Sequence, residues 1–307
     1  MKVNHSAILG AGLMGVGIAT YFARFGHDVW LYDTDEARVA EIPVMAGAIL
    51  DELIATERFS ASRKEEVTGR LKGTVSLHDI AGSTLLIEAI PERLELKHAL
   101  YTQLEALIAP DAIIASNTSG LLPDALASDM QYPERFLVAH FWYPPHFIPL
   151  VEIVPGSATT PVLLTGLQSM LLGMELEAVV LNRAVPGFIG NRLQFALLRE
   201  ALHIVKSGIA SAEVVDQVMR TSLGRRYAMV GPFEAADMTG LNTVQDICHH
   251  LLPELATGSD MLSLVAEKVA HGEAGFYSGQ GFYHWDEARK AYIQQRREHQ
   301  LRFALKP

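Results

Sequence analysis

Cysteine is nearly absent. Cys248 is the only one in 307 residues, which excludes an internal disulfide and any metal cluster held by thiolates. Cys248 itself is expected to be a small buried core residue, and no metal site is expected. Basic charge is also scarce: 25 Lys and Arg stand against 35 Asp and Glu, a net charge of −10, and no basic stripe recurs. Nucleic acid is therefore not an expected partner. No apolar run reaches the roughly 18 residues of a membrane span, and the first residues, MKVNHSAILGAG, pass directly into a strand-like segment without a signal-peptide pattern. A cytoplasmic protein without a membrane partner is the expectation. There is no internal repeat and no low-complexity segment.

What is present is ample apolar material, 49% of the chain, enough for the cores of two domains. Short β-branched or apolar runs (SAILGAG, DVWLYD, TLLIEAI, AIIASN, FLVAHFW, PLVEIV) alternate with helical stretches up to about Val154. That alternation marks an α/β domain with a parallel sheet, whose strands need crossover helices. Around residues 182–187 (NRAVPG) the style changes. From Phe188 onward apolar residues such as Leu193, Leu197, Ala201, Ile204 and Val205 recur at helical spacing. A boundary near Pro186 separates an α/β domain, residues 1–186, from a smaller all-α domain, residues 187–307. Gly208 followed by Ser211 reads as one helix ending and another being capped, and GPFE at residues 231–234 as a further break. The charged tail IQQRREHQLR reads as the solvated face of a last helix.

The segment AILGAGLMGVGIATYFARFGHDVWLYD holds a strand, Gly10, Gly12 and Gly15 in G-x-G-x-x-G spacing, a helix closed by Gly26, and a second strand ending at Asp33. The glycines serve a tight turn, backbone approach to a pyrophosphate, and close packing of helix on strand. Leu13 and Met14 open the helix, whose N-terminal N–H groups and dipole favour phosphate. The spacing alone also occurs in flavin and S-adenosylmethionine sites and in plain turns. Here the second strand and its acidic end are in place as well: Asp33 can accept from both ribose hydroxyls and would repel a 2′-phosphate, so NAD rather than NADP is expected.

The stretch AHFWYPPHFIPLVEIV, residues 139–154, sets His140 and Glu152 in apolar segments with three prolines between them. A buried carboxylate is costly without a partner. If the proline-rich link folds the two strands side by side, Glu152 can fix the tautomer of His140 and stabilise its imidazolium. Oxidation of a secondary alcohol needs such a base near neutral pH, and neutral donors such as Ser119 and Asn191 could hold the substrate oxygen. The ordinary alternative for a His in an apolar strand is a satisfied core residue, and for Asn191 a polar residue at a helix start.

The pieces IEAIPERLELK (87–97), ASNTSGL (115–121), HFWYPP, PLVEIV and PGFIGNRL (186–193) occur in the order and spacing of the L-3-hydroxyacyl-CoA dehydrogenase family, which the chain resembles over nearly its whole length. The resemblance implies a Rossmann-like NAD-binding domain followed by a helical substrate domain through which two copies pair. It also implies reversible hydride transfer between the 3-hydroxyl carbon of an acyl chain and NAD. The family's catalytic His and its paired acid fall on His140 and Glu152, and its substrate-contacting Ser and Asn on Ser119 and Asn191. The acid and lysine beside the cofactor fall on Glu92 and Lys97, and Asn117 on the strand end facing the nicotinamide.

Two departures bear on the substrate. Members acting on coenzyme A thioesters usually carry Asn-Pro after His-Phe-Phe, whereas Tyr143 precedes Pro144 here. Counted without gaps from Asp33, the Ser and Lys used against coenzyme A fall on Ile49 and Thr56, neither of which can offset phosphate charge. SLGRRYAMVGPFE (222–234) together with YPPHFIPLVEIV looks more like the L-gulonate dehydrogenase (lambda-crystallin) and L-carnitine dehydrogenase branch, which oxidises free 3-hydroxy acids. Arg225 or Arg226 could then pair with a substrate carboxylate, unless the two are simply a solvated loop; Arg226 and Tyr143 are the expected substrate contacts. The leading expectation is an NAD-dependent L-3-hydroxy acid dehydrogenase. A short-chain L-3-hydroxyacyl-CoA dehydrogenase and a non-catalytic NAD-binding or structural protein are the alternatives; nothing downstream of the glycines supports a methyltransferase.

Overall fold

The computed structural model describes residues 5–303. Eight strands form one sheet: β1 (Ser6–Leu9), β2 (Val29–Tyr32), β3 (Leu71–Thr74), β4 (Leu85–Glu88), β5 (Ile113–Ser116), β6 (Phe136–Phe141), β7 (Leu150–Pro155) and β8 (Glu177–Val180). Their order is β3-β2-β1-β4-β5-β6-β7-β8. Every neighbouring pair is parallel except β6 and β7. β1, β4 and β5 are buried at every position, as expected of strands covered by crossover helices on both faces. Alternate side chains feed two cores. Ile8, Leu31, Ile87 and Ala139 pack on one face of the sheet, and Ala7, Leu9, Leu86, Ile114 and Val138 on the other.

Helix α1 (Leu13–Arg24) follows β1 directly, is buried from Gly15 to Ala23, and stops where Gly26 takes φ +89°. Helix α2 (Glu36–Ala55) follows β2, its first turn capped by the Asp35 carboxylate, which accepts from Ala37 N–H at 2.9 Å. These two connections are right-sized crossovers. The link between β6 and β7, residues 142–149, is too short for one. The chain instead turns back, and the antiparallel register sets His140 opposite Glu152. The expectation of a parallel sheet is corrected at this pair. β3 and β8, which the apolar-run reading passed over, are edge strands with exposed positions.

Beyond Leu181 the chain runs through residues 182–189 into the helix Gly190–Lys206. Gly208 takes φ +70° and the Ser211 hydroxyl caps the helix Ala212–Thr221. Further helices cover Pro232–Thr239, Leu241–Leu251, Leu262–Ala270 and Glu287–Phe303. The break at GPFE is built as the pattern implied, with Glu234 accepting from Gly231 N–H at 2.7 Å. One compact unit runs through Asn191 and a second spans Arg192–Arg297. In the second, only Leu202, Ala235 and Met261 of the described apolar side chains are buried, while Phe233 and Met229 are 85% and 79% exposed. Cys248 is a further correction. It is half-buried rather than core, because it lies on a helix, Leu241–Leu251, that buries no residue at all.

Candidate active site

The glycine turn lies where the strand order reverses, at the C-terminal ends of β1 and β4, the usual ligand crevice of an open α/β sheet. Gly10, at φ +104°, passes so close to β4 that a Cβ would lie 2.7 Å from the carbonyl oxygen of Ala89, and a Cβ on Gly15 would lie 1.8 Å from that of Gly10. Around the corresponding position on Gly12 nothing lies within 4 Å. Two glycines thus let the backbone pack on itself, and the third leaves open space at the start of α1. Leu13 is 62% exposed there, and no side chain caps the helix, so its first N–H groups are free to meet phosphate. The Asp33 carboxylate accepts from Ala11 N–H (2.8 Å) and Asp35 N–H (3.1 Å). Each oxygen keeps a lone pair for a ribose hydroxyl.

Beside this crevice, Glu88 ends β4 fully buried. Its carboxylate accepts from Lys97 Nζ (2.7 and 2.9 Å), Tyr101 Oη (2.6 Å), Ser116 Oγ (2.6 Å) and Ile90 N–H (2.8 Å). Burial, together with the Glu88 charge, pushes the Tyr101 hydroxyl well above its ordinary pKa, so it stays a donor. The third proton of Lys97 goes to Glu92 Oε2, at 3.1 Å. Lys97, expected beside the cofactor, is 1% exposed and directs all its donors at carboxylates; its influence outward runs through Glu92. Burial works to raise the pKa of Glu92. The Thr118 hydroxyl, the charge and hydrogen bond of Lys97, and Ser119 N–H outweigh it and hold the carboxyl below the ordinary range. Asn117 bridges strands: its N–H donates to Glu88 O (2.7 Å) and its Oδ1 accepts from Phe141 N–H (2.8 Å).

His140 and Glu152 meet across β6 and β7. Nδ1 of the imidazole lies 2.9 Å from Glu152 Oε2, and both residues are buried. The same oxygen accepts from Trp142 Nε1 (3.2 Å), while Oε1 accepts from Ile189 N–H (2.9 Å) and Gly190 N–H (3.0 Å). Burial acts to raise the pKa of Glu152. The four donors reverse that and take it down to about 2, so the carboxylate is ionised. A carboxylate acceptor at Nδ1 assigns the proton of neutral His140 to that nitrogen. Nε2 then carries the lone pair. The next residue along, Asn191, donates from Nδ2 to Ser119 O at 3.1 Å, and Ser119 N–H donates to Glu92 at 3.1 Å. A continuous chain of bonds therefore joins Glu152, the 189–191 segment, Ser119, Glu92, Lys97 and Glu88. Tyr143 is exposed on the β6–β7 link. Arg226 belongs to the second unit, where its Nη2 donates to Ala235 O at 3.4 Å.

Trp142, Glu88, Tyr101, Ser116 and Thr118 were not singled out from the sequence. Glu88 carried a readable signal, an acid closing the otherwise apolar run LLIE, of the kind that marked Glu152. The ungapped count that reached Ile49 and Thr56 lands on inward positions. Ile49 packs against the core, and Thr56 is buried, its hydroxyl bonded to Glu52 O and Leu53 O.

Fold and site together define a dinucleotide-dependent dehydrogenase. Residues 5–184 match the family model "3-hydroxyacyl-CoA dehydrogenase, NAD binding domain" and residues 187–285 match "3-hydroxyacyl-CoA dehydrogenase, C-terminal domain". The chain belongs to the 3-hydroxyacyl-CoA dehydrogenase family; it is an NAD-dependent dehydrogenase, which sets aside the non-catalytic alternative. It is 31% identical over 303 residues to 5-formyl-3-hydroxy-2-methylpyridine 4-carboxylate 5-dehydrogenase of Mesorhizobium japonicum, covering 97% of this chain and 96% of that one. A solved structure of an enzyme of that name, described as an NAD+-dependent dismutase, superposes with a TM-score of 0.90 over 98% of this chain and 96% of that one, at 31% identity. The L-carnitine dehydrogenase/betainyl-CoA thioesterase of Rhizobium sp is 35% identical over 240 residues, 78% of this chain, which spans 47% of that longer protein. The lambda-crystallin homolog of Rattus norvegicus is 33% identical over 245 residues, 74% of this chain and 72% of the relative.

NAD is the cofactor, and the residues present fit it: the open side of Gly12, the uncapped start of α1 and the lone pairs of Asp33 suit pyrophosphate and ribose. Bound NAD supplies the hydride acceptor.

Proposed function

We propose that the chain reversibly oxidises the 3-hydroxyl of a short, free L-3-hydroxy acid to the 3-oxo acid, with His140 as general base. The observation that carries this reading is the cross-strand pair: Nδ1 engaged by an ionised, four-times-donated Glu152, leaving the lone pair of Nε2 for a proton. As the hydride departs, the substrate hydroxyl becomes acidic and Nε2 takes its proton. Glu152 holds the ring's tautomer and stabilises the imidazolium. Ser119 Oγ and the remaining donor of Asn191 hold the substrate oxygen in line. Gly10, Gly12, Leu13, Met14, Gly15 and Asp33 seat the cofactor, with Glu92, Asn117 and, through Glu92, Lys97 on its nicotinamide side.

A free acid rather than a thioester is supported by Tyr143, which stands where thioester-acting members usually carry Asn, and by a relative over nearly the whole chain that is named for a carboxylate. Arg226 would form a bidentate pair with the substrate carboxylate. We further propose a division into an NAD-binding domain, residues 1–186, and a helical substrate and pairing domain, residues 187–307, acting as a cytoplasmic homodimer. The wide exposed apolar surface of the helical unit supports pairing. No helix among the described residues is long and apolar enough to cross a membrane.

The test is a panel of 3-hydroxy acids and their coenzyme A thioesters followed by NADH absorbance, with His140→Gln alongside. That variant should bind NAD normally and lose roughly two to four orders of magnitude in turnover; near-normal turnover would return His140 to the core. Arg226→Ala should raise KM for the free acid by roughly one to two orders of magnitude. Efficient turnover of a thioester alone, indifferent to Arg226, would install the short-chain hydroxyacyl-CoA reading instead.

A further inference from the structure

We infer that Trp142 is a positioning residue that sets the basicity of His140 by sharing the carboxylate oxygen that His140 uses. The inference rests on the reading of His140 as the base, and its observations lie in the local geometry. The indole N–H donates to Glu152 Oε2 at 3.2 Å, the atom that faces His140 Nδ1 at 2.9 Å. The indole also stands tilted against the imidazole, with ring centroids 5.5 Å apart. It is seated on bare backbone: a Cβ on Gly190 would lie 2.2 Å from Trp142 Cζ2. Gly190 N–H in turn donates to the other carboxylate oxygen. Trp142, Gly190 and Glu152 thus form one packed unit around the carboxylate. Trp142 is the first residue past β6, and its hydrogen bond and ring contact, not strand alternation, place its side chain beside His140.

The consequence is electrostatic. Each neutral donor to a carboxylate draws negative charge away from the remaining acceptor positions and stabilises the anion. With the indole in place, Oε2 holds an imidazolium less strongly, and Nε2 gives up its proton at lower pH. A phenylalanine at 142 would leave Oε2 to His140 alone and raise its proton affinity. Among the described residues, no other charged side chain is hydrogen-bonded to His140 or Glu152. His140 is the only titratable residue in β6, and Glu152 the only one in β7. On β8 the partner of Glu152 is Val179, while Glu177 pairs with Leu150. Arg183, which precedes the segment that carries Ile189 and Gly190, is exposed.

The test is a pH titration of the His140 ring resonances by NMR in the cofactor-free protein, assigned by their loss in His140→Gln and run beside the pH profile of kcat/KM for alcohol oxidation. Trp142→Phe should move both the ring titration and the acidic limb upward by about half a unit to one unit, on the scale of one hydrogen bond. In a Glu152→Gln background the same substitution should move neither. A merely structural role lowers stability and kcat without moving the limb, and greater water access alone would shift the titration in both backgrounds; either result overturns the inference. If Trp142→Phe does not fold, the indole N–H resonance of Trp142 decides. It should lie downfield in the native chain and move upfield in Glu152→Gln, and an unmoved signal overturns the proposal. An enzyme that needs His140 but titrates independently of Trp142 removes this inference alone, whereas one indifferent to His140→Gln removes the reading beneath it.

Discussion

Glu152 should make the protein acid-sensitive in a way that one isosteric change removes. Its carboxyl is 1% exposed, and burial alone would raise its pKa. The donors His140, Gly190, Ile189 and Trp142 bring it from the ordinary 4.5 to about 2. At about 1.4 kcal/mol per pH unit, that drop makes ionised Glu152 worth about 3 kcal/mol to the folded state. The sign follows from a depressed folded pKa. The stabilisation is complete above the unfolded value near 4.5 and is lost as pH falls from there through 2. Glu152→Gln keeps the shape without the charge and turns an amide N–H₂ toward groups that are themselves donors. Urea unfolding of the cofactor-free native chain and the variant, at steps from pH 7 down to pH 2, gives the comparison. The native chain should be the more stable at pH 7, and about 3 kcal/mol of its advantage should disappear between pH 5 and pH 2. Glu92, whose pKa is also lowered, titrates in both proteins and cancels. A gap that stays constant across this range refutes the reasoning, because the carboxylate would then stabilise the fold by shape alone.

The glycine turn should separate folding from cofactor binding. Gly15→Ala places a Cβ 1.8 Å from Gly10 O and should cost about 3 kcal/mol, read as a lower Tm without NAD; Gly12→Ala, with nothing within 4 Å, should melt normally yet bind NADH at least about tenfold more weakly by fluorescence titration. A Gly15→Ala protein as stable as the native chain would contradict the packing described. Asp33 should exclude the 2′-phosphate of NADP, so the native enzyme should strongly prefer NAD in steady-state assays and Asp33→Ala should narrow the preference. Equal turnover of the two cofactors by the native chain would remove that role.

Buried strands were legible because strands covered on both faces read as unbroken apolar runs, and LLIE and IIAS declare themselves that way. LKGT at β3 does not, since an edge strand needs only one buried side and here exposes Lys72 and Gly73. The pairing of His140 with Glu152 could be posed from composition, two polar groups in apolar strands. Its register could not, because it depends on the reversal of direction that the short proline-rich link imposes. Trp142 escaped notice because its role rests on an oxygen it shares with His140, a relation of position with no trace in spacing. The second unit was readable as helices and much less as a core: the periodicity is real, but most of the faces it creates stay exposed.

The hairpin of β6 and β7 separates what must stay fixed from what is free to change. His140 and Glu152 are held by the ladder, where slipping by one residue would turn both side chains to the opposite face. The link between them, residues 142–149, begins with the half-buried Trp142, surfaces at Tyr143, and turns inward again through Pro144, Pro145, His146 and Phe147. A change at exposed Tyr143 leaves His140 and Glu152 in register, whereas Phe147, part of a core cluster, has no such freedom. The ladder thus fixes the pair, and the variation this hairpin tolerates is confined to the exposed positions of its link, Tyr143 and Pro149.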